Sequence, residues 1–236
     1  YTEKKSPRSA SLIRFISKGI SLCGDYVGFL LAEWLAFHIR IFLMGNVFQV
    51  SAIYIYIVTP AVFLLALVFA GIYSKHYTST QMLEKLFKAC LGGIAFSIIL
   101  MFLTQVSGQV SRLYVGLFAV IVYLFLVVEK YITALCIRKM PGLQIPVLVV
   151  GAGKTADAAI DEARNNVFIN YWVAGFLEDF EPSSAYADTY PILGGFNDLE
   201  RVIAETGIQD VIITAPGLPQ DQLNHLLYRA QTMVPY

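Results

Sequence analysis

Between Arg40 and Lys75 the sequence carries no charged residue at all. A stretch of that length holds a loop and one apolar helix of about 20 residues. In hydrocarbon the backbone must satisfy its own N–H and C=O groups, so a helix is the form such a stretch takes. The constraint extends to its neighbours. The chain is 57% hydrophobic and only 14% charged, against a usual charged share of about 25%, and the apolar excess lies almost wholly before position 138. The 236 residues are therefore expected to form two units, a membrane part and a soluble part.

Residues 1–18 carry Lys4, Lys5, Arg8, Arg14 and Lys18 and no cleavage-like site, which predicts a basic cytoplasmic flank and not a removable signal. Residues 19–140 predict four transmembrane helices. The first runs from Gly19 to Leu43, the second lies in the uncharged stretch with Pro60 near its start as a kink, the third runs from Leu86 to Val106 and the fourth from Leu113 to Ala134. The first span contains Asp25 and Glu33, which are costly in hydrocarbon unless they face protein or water. They read as structural polar contacts or as a substrate or proton path. Small residues at Gly24, Gly28, Ala32 and Ala36 line one face of that helix and let another backbone approach. The ridge serves packing within a bundle or a homodimer contact.

Cations set the orientation. Lys4, Lys5, Arg8, Arg14, Lys18, Lys75, Lys85, Lys88, Lys130, Arg138 and Lys139 fall on one side, and only Arg40 and Arg112 on the other. Eleven against two places both termini in the cytoplasm. Zero net charge gives no basic surface for nucleic acid. Cys23, Cys90 and Cys136 form no CxxC pair and lie near no histidine at ligand spacing, so no metal site is expected.

Residues 141–236 alternate between strand and helix signals, which predicts an α/β Rossmann-like domain with a mostly parallel sheet. The strands are Val147–Val150, Trp172–Leu177, Pro191–Leu193 and Val211–Thr214. Helices follow at Thr155–Asn165, after Asn197 as a cap with Glu200 in the capping-box position and Gly207 as the stop, and at Gln220–Met233. The loop Gly151-Ala152-Gly153-Lys154-Thr155-Ala156 fits G-x-G-x-x-A between a strand and a helix. Backbone N–H groups there would hold a phosphate, Lys154 would add a point charge, and Glu178 or Asp179 at the end of the next strand would reach a ribose. Two readings stay open: a dinucleotide or sugar-nucleotide pocket with a regulatory role, and a structural module that keeps its glycines for the turn alone. A Walker A loop is excluded, because its first glycine would fall at Leu148. His38, His76 and His225 are scattered, no Tyr-x-x-x-Lys pair follows the loop, and no catalytic residue is assigned.

The order of these segments resembles the N-terminal part of the bacterial polyprenyl-phosphate sugar-1-phosphate transferases, large membrane enzymes that initiate O-antigen, capsule or exopolysaccharide synthesis. The resemblance rests on four spans, then VLVVGAGKTA, WVAGFLED, PILGGFNDLERVI and GIQDVIITAP. Asp25 early in the first span is also common there. It implies a multi-pass protein of the bacterial inner membrane whose parent moves a hexose-1-phosphate from a UDP-sugar to polyprenyl phosphate, with Mg²⁺ as the usual metal. That chemistry belongs to a C-terminal catalytic domain with a re-entrant helix and an Asp-Glu pair, which residues 1–236 do not match. Both ends look cut, and the chain is expected to be part of a longer protein. The soluble segment is also similar to the first Rossmann-like unit of membrane-bound NAD-dependent sugar-nucleotide 4,6-dehydratases. A non-enzymatic membrane scaffold is the third alternative.

Overall fold

The computed structural model describes residues 10–45, 51–73, 77–105, 110–140 and 142–233. It divides into two compact units, Lys18–Cys136 and, separately, Tyr1–Ser17 with Ile137–Tyr236.

In the first unit α1 (Ala10–Met44), α3 (Ser79–Leu103) and α4 (Arg112–Lys139) are long and apolar enough to cross a membrane. The helix Tyr54–Phe69 is shorter, about 24 Å at the α-helical rise against an apolar core of about 30 Å. Four helices of spanning length were expected, and among the described residues three have it. The short helix opens with a π turn, Tyr54–Val58, before α2 (Thr59–Phe69), with Pro60 in the first turn of α2. Proline has no N–H for the carbonyl four residues back, and that carbonyl, on Tyr56, accepts from the Tyr26 hydroxyl at 3.1 Å instead.

Other boundaries shift for identifiable reasons. α1 starts at Ala10, inside the expected flank. α3 starts at Ser79 and not Leu86, because Thr78 and Gln81 form a capping box; Lys85 and Lys88 are thus helical residues and not loop residues. The expected end of that span, Val106, lies outside the described residues. Lys130 is no flank cation either, being 5% exposed within α4, which leaves ten cations against two in the orientation count. The exterior of these helices is apolar, with Phe42 and Phe69 each 87% exposed, as suits lipid better than water. Inside, Phe63 packs at 5.4 Å from Phe29 and 5.5 Å from Phe118.

In the second unit four parallel strands stand in the order β3-β2-β1-β4, with β1 at Ile145–Val150, β2 at Tyr171–Leu177, β3 at Ile192–Gly194 and β4 at Asp210–Ile213. β1 is central, and its run Val147–Val150 is wholly buried. Alternation divides that run between two cores. Val147 and Val149 pack with Ala156 and Ile160 of α5 (Lys154–Asn165), together with Val173 and Phe176. Leu148 and Val150 pack with Leu199, Val202 and Ile203 of α6 (Leu199–Thr206) and Leu226 of α7 (Gln220–Met233). Helices thus cover both faces.

The cap of α6 differs from expectation. A 3-10 turn, Phe196–Asp198, comes first, and it is Asp198 whose carboxylate accepts from the Gly195 N–H at 2.9 Å. That bond and Arg201 hold the Asp198 carboxyl below the ordinary carboxylate range. Asn197 gives its carbonyl to Arg229, and Glu200 pairs with Arg229 at 2.7 Å instead of closing a capping box. Gly207 does stop the helix, left-handed at φ 68° with its N–H on the Ile203 carbonyl. In the same unit, Arg14 in the first turns of α1 donates to Asp210 at 2.5 Å.

Candidate functional site

The chain runs from β1 to β2 and β3 on one side, then returns to β4 on the other. The crevice beyond the carboxyl ends of β1 and β4 is therefore a topological switch point, where open α/β sheets bind ligands. The glycine loop lies there. Gly151 takes φ +98°, and a Cβ on it would stand 2.9 Å from the Thr214 carbonyl oxygen, so only glycine fits. Thr214, which belongs to no recognisable motif, closes the crevice floor: its hydroxyl donates to the carbonyls of Val150 and Gly151 at 3.1 and 2.9 Å. Gly153 differs. Its Cβ would meet only the Ser183 hydroxyl at 3.8 Å, an ordinary contact, so the turn does not require glycine there. Gly153 caps α5 with no side-chain acceptor; the Ala156 N–H turns back to the Gly153 carbonyl at 2.9 Å, which leaves the N–H groups of Lys154 and Thr155 to water or a ligand. Lys154 and Thr155 are exposed in that turn, and Ala152 is buried behind it.

Both acidic candidates stand at the end of β2, and both are engaged with backbone. Glu178 reaches back into the loop: one carboxylate oxygen accepts from Ala152 N–H at 2.5 Å, the other from the N–H groups of Asp179 and Phe180 at 3.0 and 3.1 Å. Asp179 turns the other way and accepts from Phe196 N–H at 3.0 Å, at the start of the 3-10 turn. The segment after them folds over the loop. Ser183 and Ser184 donate their N–H groups to the Ala152 carbonyl at 2.9 and 2.8 Å, and Asp157 of α5 accepts from Ser184 Oγ and Ala185 N–H.

The helical unit holds a polar cluster that the sequence reading did not assemble. Lys130 of α4 lies 2.6 Å from Asp25, which is wholly buried, and 2.7 Å from the Ser21 hydroxyl. Its ammonium stands 4.9 Å from the Tyr73 ring centre, and the Tyr73 hydroxyl donates to Asp25. Glu129 adds a second carboxylate, 3.6 Å from Lys130, against which Gly24 and Gly28 of the small-residue ridge pack. The available signal was a lysine inside an apolar run opposite an aspartate in another one, since buried membrane charges occur in pairs. Glu33 is buried apart from this cluster, beside a small cavity of about 20 Å³ lined also by Thr59, Ser97 and Tyr114.

These features define a Rossmann-like α/β domain joined in one chain to an apolar helical region. A family model described as a CoA-binding domain matches residues 68–233, more than half of the chain. The chain belongs to that family, a Rossmann-like fold found in polysaccharide biosynthesis proteins and consistent with sugar-nucleotide-related enzymes. No curated protein matches it.

Proposed function

We propose that this chain is the membrane-anchor and regulatory part of a bacterial inner-membrane transferase that moves a hexose-1-phosphate from a UDP-sugar to polyprenyl phosphate. The observation that carries the reading is a single family match running from the end of α2 to the end of α7, so that α3, α4 and the Rossmann-like domain fall within one family, whose fold is found in polysaccharide biosynthesis proteins. In this reading the helices, Tyr54–Phe69 included, make four passes and the catalytic domain lies outside residues 1–236. The parent protein in detergent, given Mg²⁺, undecaprenyl phosphate and a UDP-hexose, is expected to release UMP, and residues 1–236 alone to release none. NAD-dependent 4,6-dehydration of the UDP-sugar by the parent would replace the transferase reading with the dehydratase one.

Topology has its own check. Cysteines placed at Ser183 and at Gly108, the latter outside the described residues, are expected to differ in intact cells: an impermeant maleimide labels Gly108 and spares Ser183. Labelling of Ser183 from outside would overturn the cytoplasmic placement of the Rossmann-like domain.

The domain's own part is to sense a nucleotide at the glycine loop. Gly153 supports this, since the turn itself has room for a side chain there and a phosphate approaching the backbone would not. The family's description adds coenzyme A, another nucleotide with a diphosphate, to the ligands worth testing. Titration of the full chain with UDP, UDP-glucose, NAD and coenzyme A should find one or more binding at a Kd of order 10⁻⁵ to 10⁻⁴ M, and Gly153→Val should abolish it. Heat from none of them, with the chain folded, would leave the loop a structural turn.

A further inference from the structure

We propose that Glu178 is a latch: its carboxylate occupies the anion seat of the glycine loop, and an incoming diphosphate must displace it and loosen the 178–185 strap. The inference rests on the nucleotide reading given above.

The seat is the backbone N–H of Ala152, in the turn that would face a phosphate. A carboxylate hydrogen-bonded to backbone N–H groups is a charge-assisted contact of the same kind a phosphate oxygen would make. Glu178 makes it at 2.5 Å, and its other oxygen gathers the N–H groups of Asp179 and Phe180. One side chain therefore fills the loop and shapes the start of the strap. Beyond it, Ser183 and Ser184 are bound to the Ala152 carbonyl and Ala185 to Asp157 in the first turns of α5, so the strap is fastened both to the loop and to the helix that follows it. An acid held ready for a ribose would lie beside the phosphate seat. Glu178 instead takes one of the loop's own donors, the Ala152 N–H. Two anions do not share one donor, so ligand and Glu178 compete, and the apparent affinity falls by the fraction of time that the seat is free.

A competitor and a ribose contact predict opposite signs. Glu178→Gln keeps the shape and removes the charge. In the full chain in detergent, the latch predicts that this variant binds both UDP and inorganic pyrophosphate more tightly, on the order of tenfold if the native seat is free about a tenth of the time. Weaker UDP binding with pyrophosphate unchanged would make Glu178 a ribose contact and overturn the latch while leaving the nucleotide reading intact. Equal affinities in native chain and variant would also overturn the latch alone. Binding by neither chain would overturn the nucleotide reading, and the latch with it. The native chain supplies a readout that needs no variant: on saturation with UDP, hydrogen exchange at the amides of Asp179, Phe180 and residues 183–185 should quicken. Slower exchange there would overturn the latch. Should Glu178→Gln not fold, Glu178→Asp, one methylene too short for the Ala152 contact, is expected to shift affinity in the same direction.

Discussion

Lys130→Met is expected to lower the melting temperature of the detergent-solubilised chain by roughly 10 °C and to reduce its folded yield sharply. The ammonium is 5% exposed and faces a wholly buried Asp25, so its removal leaves a carboxylate in an apolar bundle. Breaking such a pair from one side costs about 3–5 kcal/mol, more than the pair itself contributes, because the survivor keeps its desolvation penalty. The double variant Asp25→Asn with Lys130→Met should recover part of the loss, since Glu129, which keeps its hydrogen bond from Thr133, is then the one carboxylate of the cluster that has lost the ammonium. A single variant that melts with the native chain, or a double variant no better than the single one, would show that the cluster does not hold the helices together. Asp25→Asn with unchanged stability but lost transferase activity in the parent would instead assign the cluster to a substrate or proton path.

The second large effect is expected at Gly151. Gly151→Ala places a Cβ 2.9 Å from the Thr214 carbonyl at a φ of +98°, so strain and overlap coincide, at a cost of about 3 kcal/mol or more. The displaced backbone is also the segment whose N–H bonds Leu177 and whose carbonyl accepts from Thr214, so the damage spreads to both strands flanking β1. Limited proteolysis of the full chain should cut the Rossmann-like domain of this variant at a temperature where the native domain resists. Gly153→Ala, two residues on, should stay within about 0.5 kcal/mol of native, because the space is there. Equal protease sensitivity of the two variants would remove the distinction between a glycine that the turn requires and one that it does not.

The sheet was legible because β1 is apolar at every position from Val147 to Val150, as a strand covered on both faces must be. The glycine loop was legible because its spacing between strand and helix is local. Boundaries failed where a hydropathy window outweighed a cap. Thr78 and Gln81 start α3 well before its uncharged stretch, and Asp198 displaces Asn197 at α6. The length of the helix at Tyr54–Phe69 could not be read from charge at all, since an uncharged stretch does not show how much of itself is helix.

Local pattern thus determined what this chain had to contain: apolar helices, a Rossmann-like domain with a parallel sheet, and a glycine loop between its first strand and the following helix. Partnership was decided only by the tertiary structure. Lys130 looked like a flanking cation until α4 carried it to Asp25, 105 positions away in sequence, and Glu178 looked like a ribose acid until the strand pairing of β1 with β2 brought it onto Ala152 N–H. The reason is physical. A charge or a carboxylate has the same local signature whether it is solvated, paired or plugging a loop, and its surroundings, which set its energy, are assembled from residues far apart in the chain.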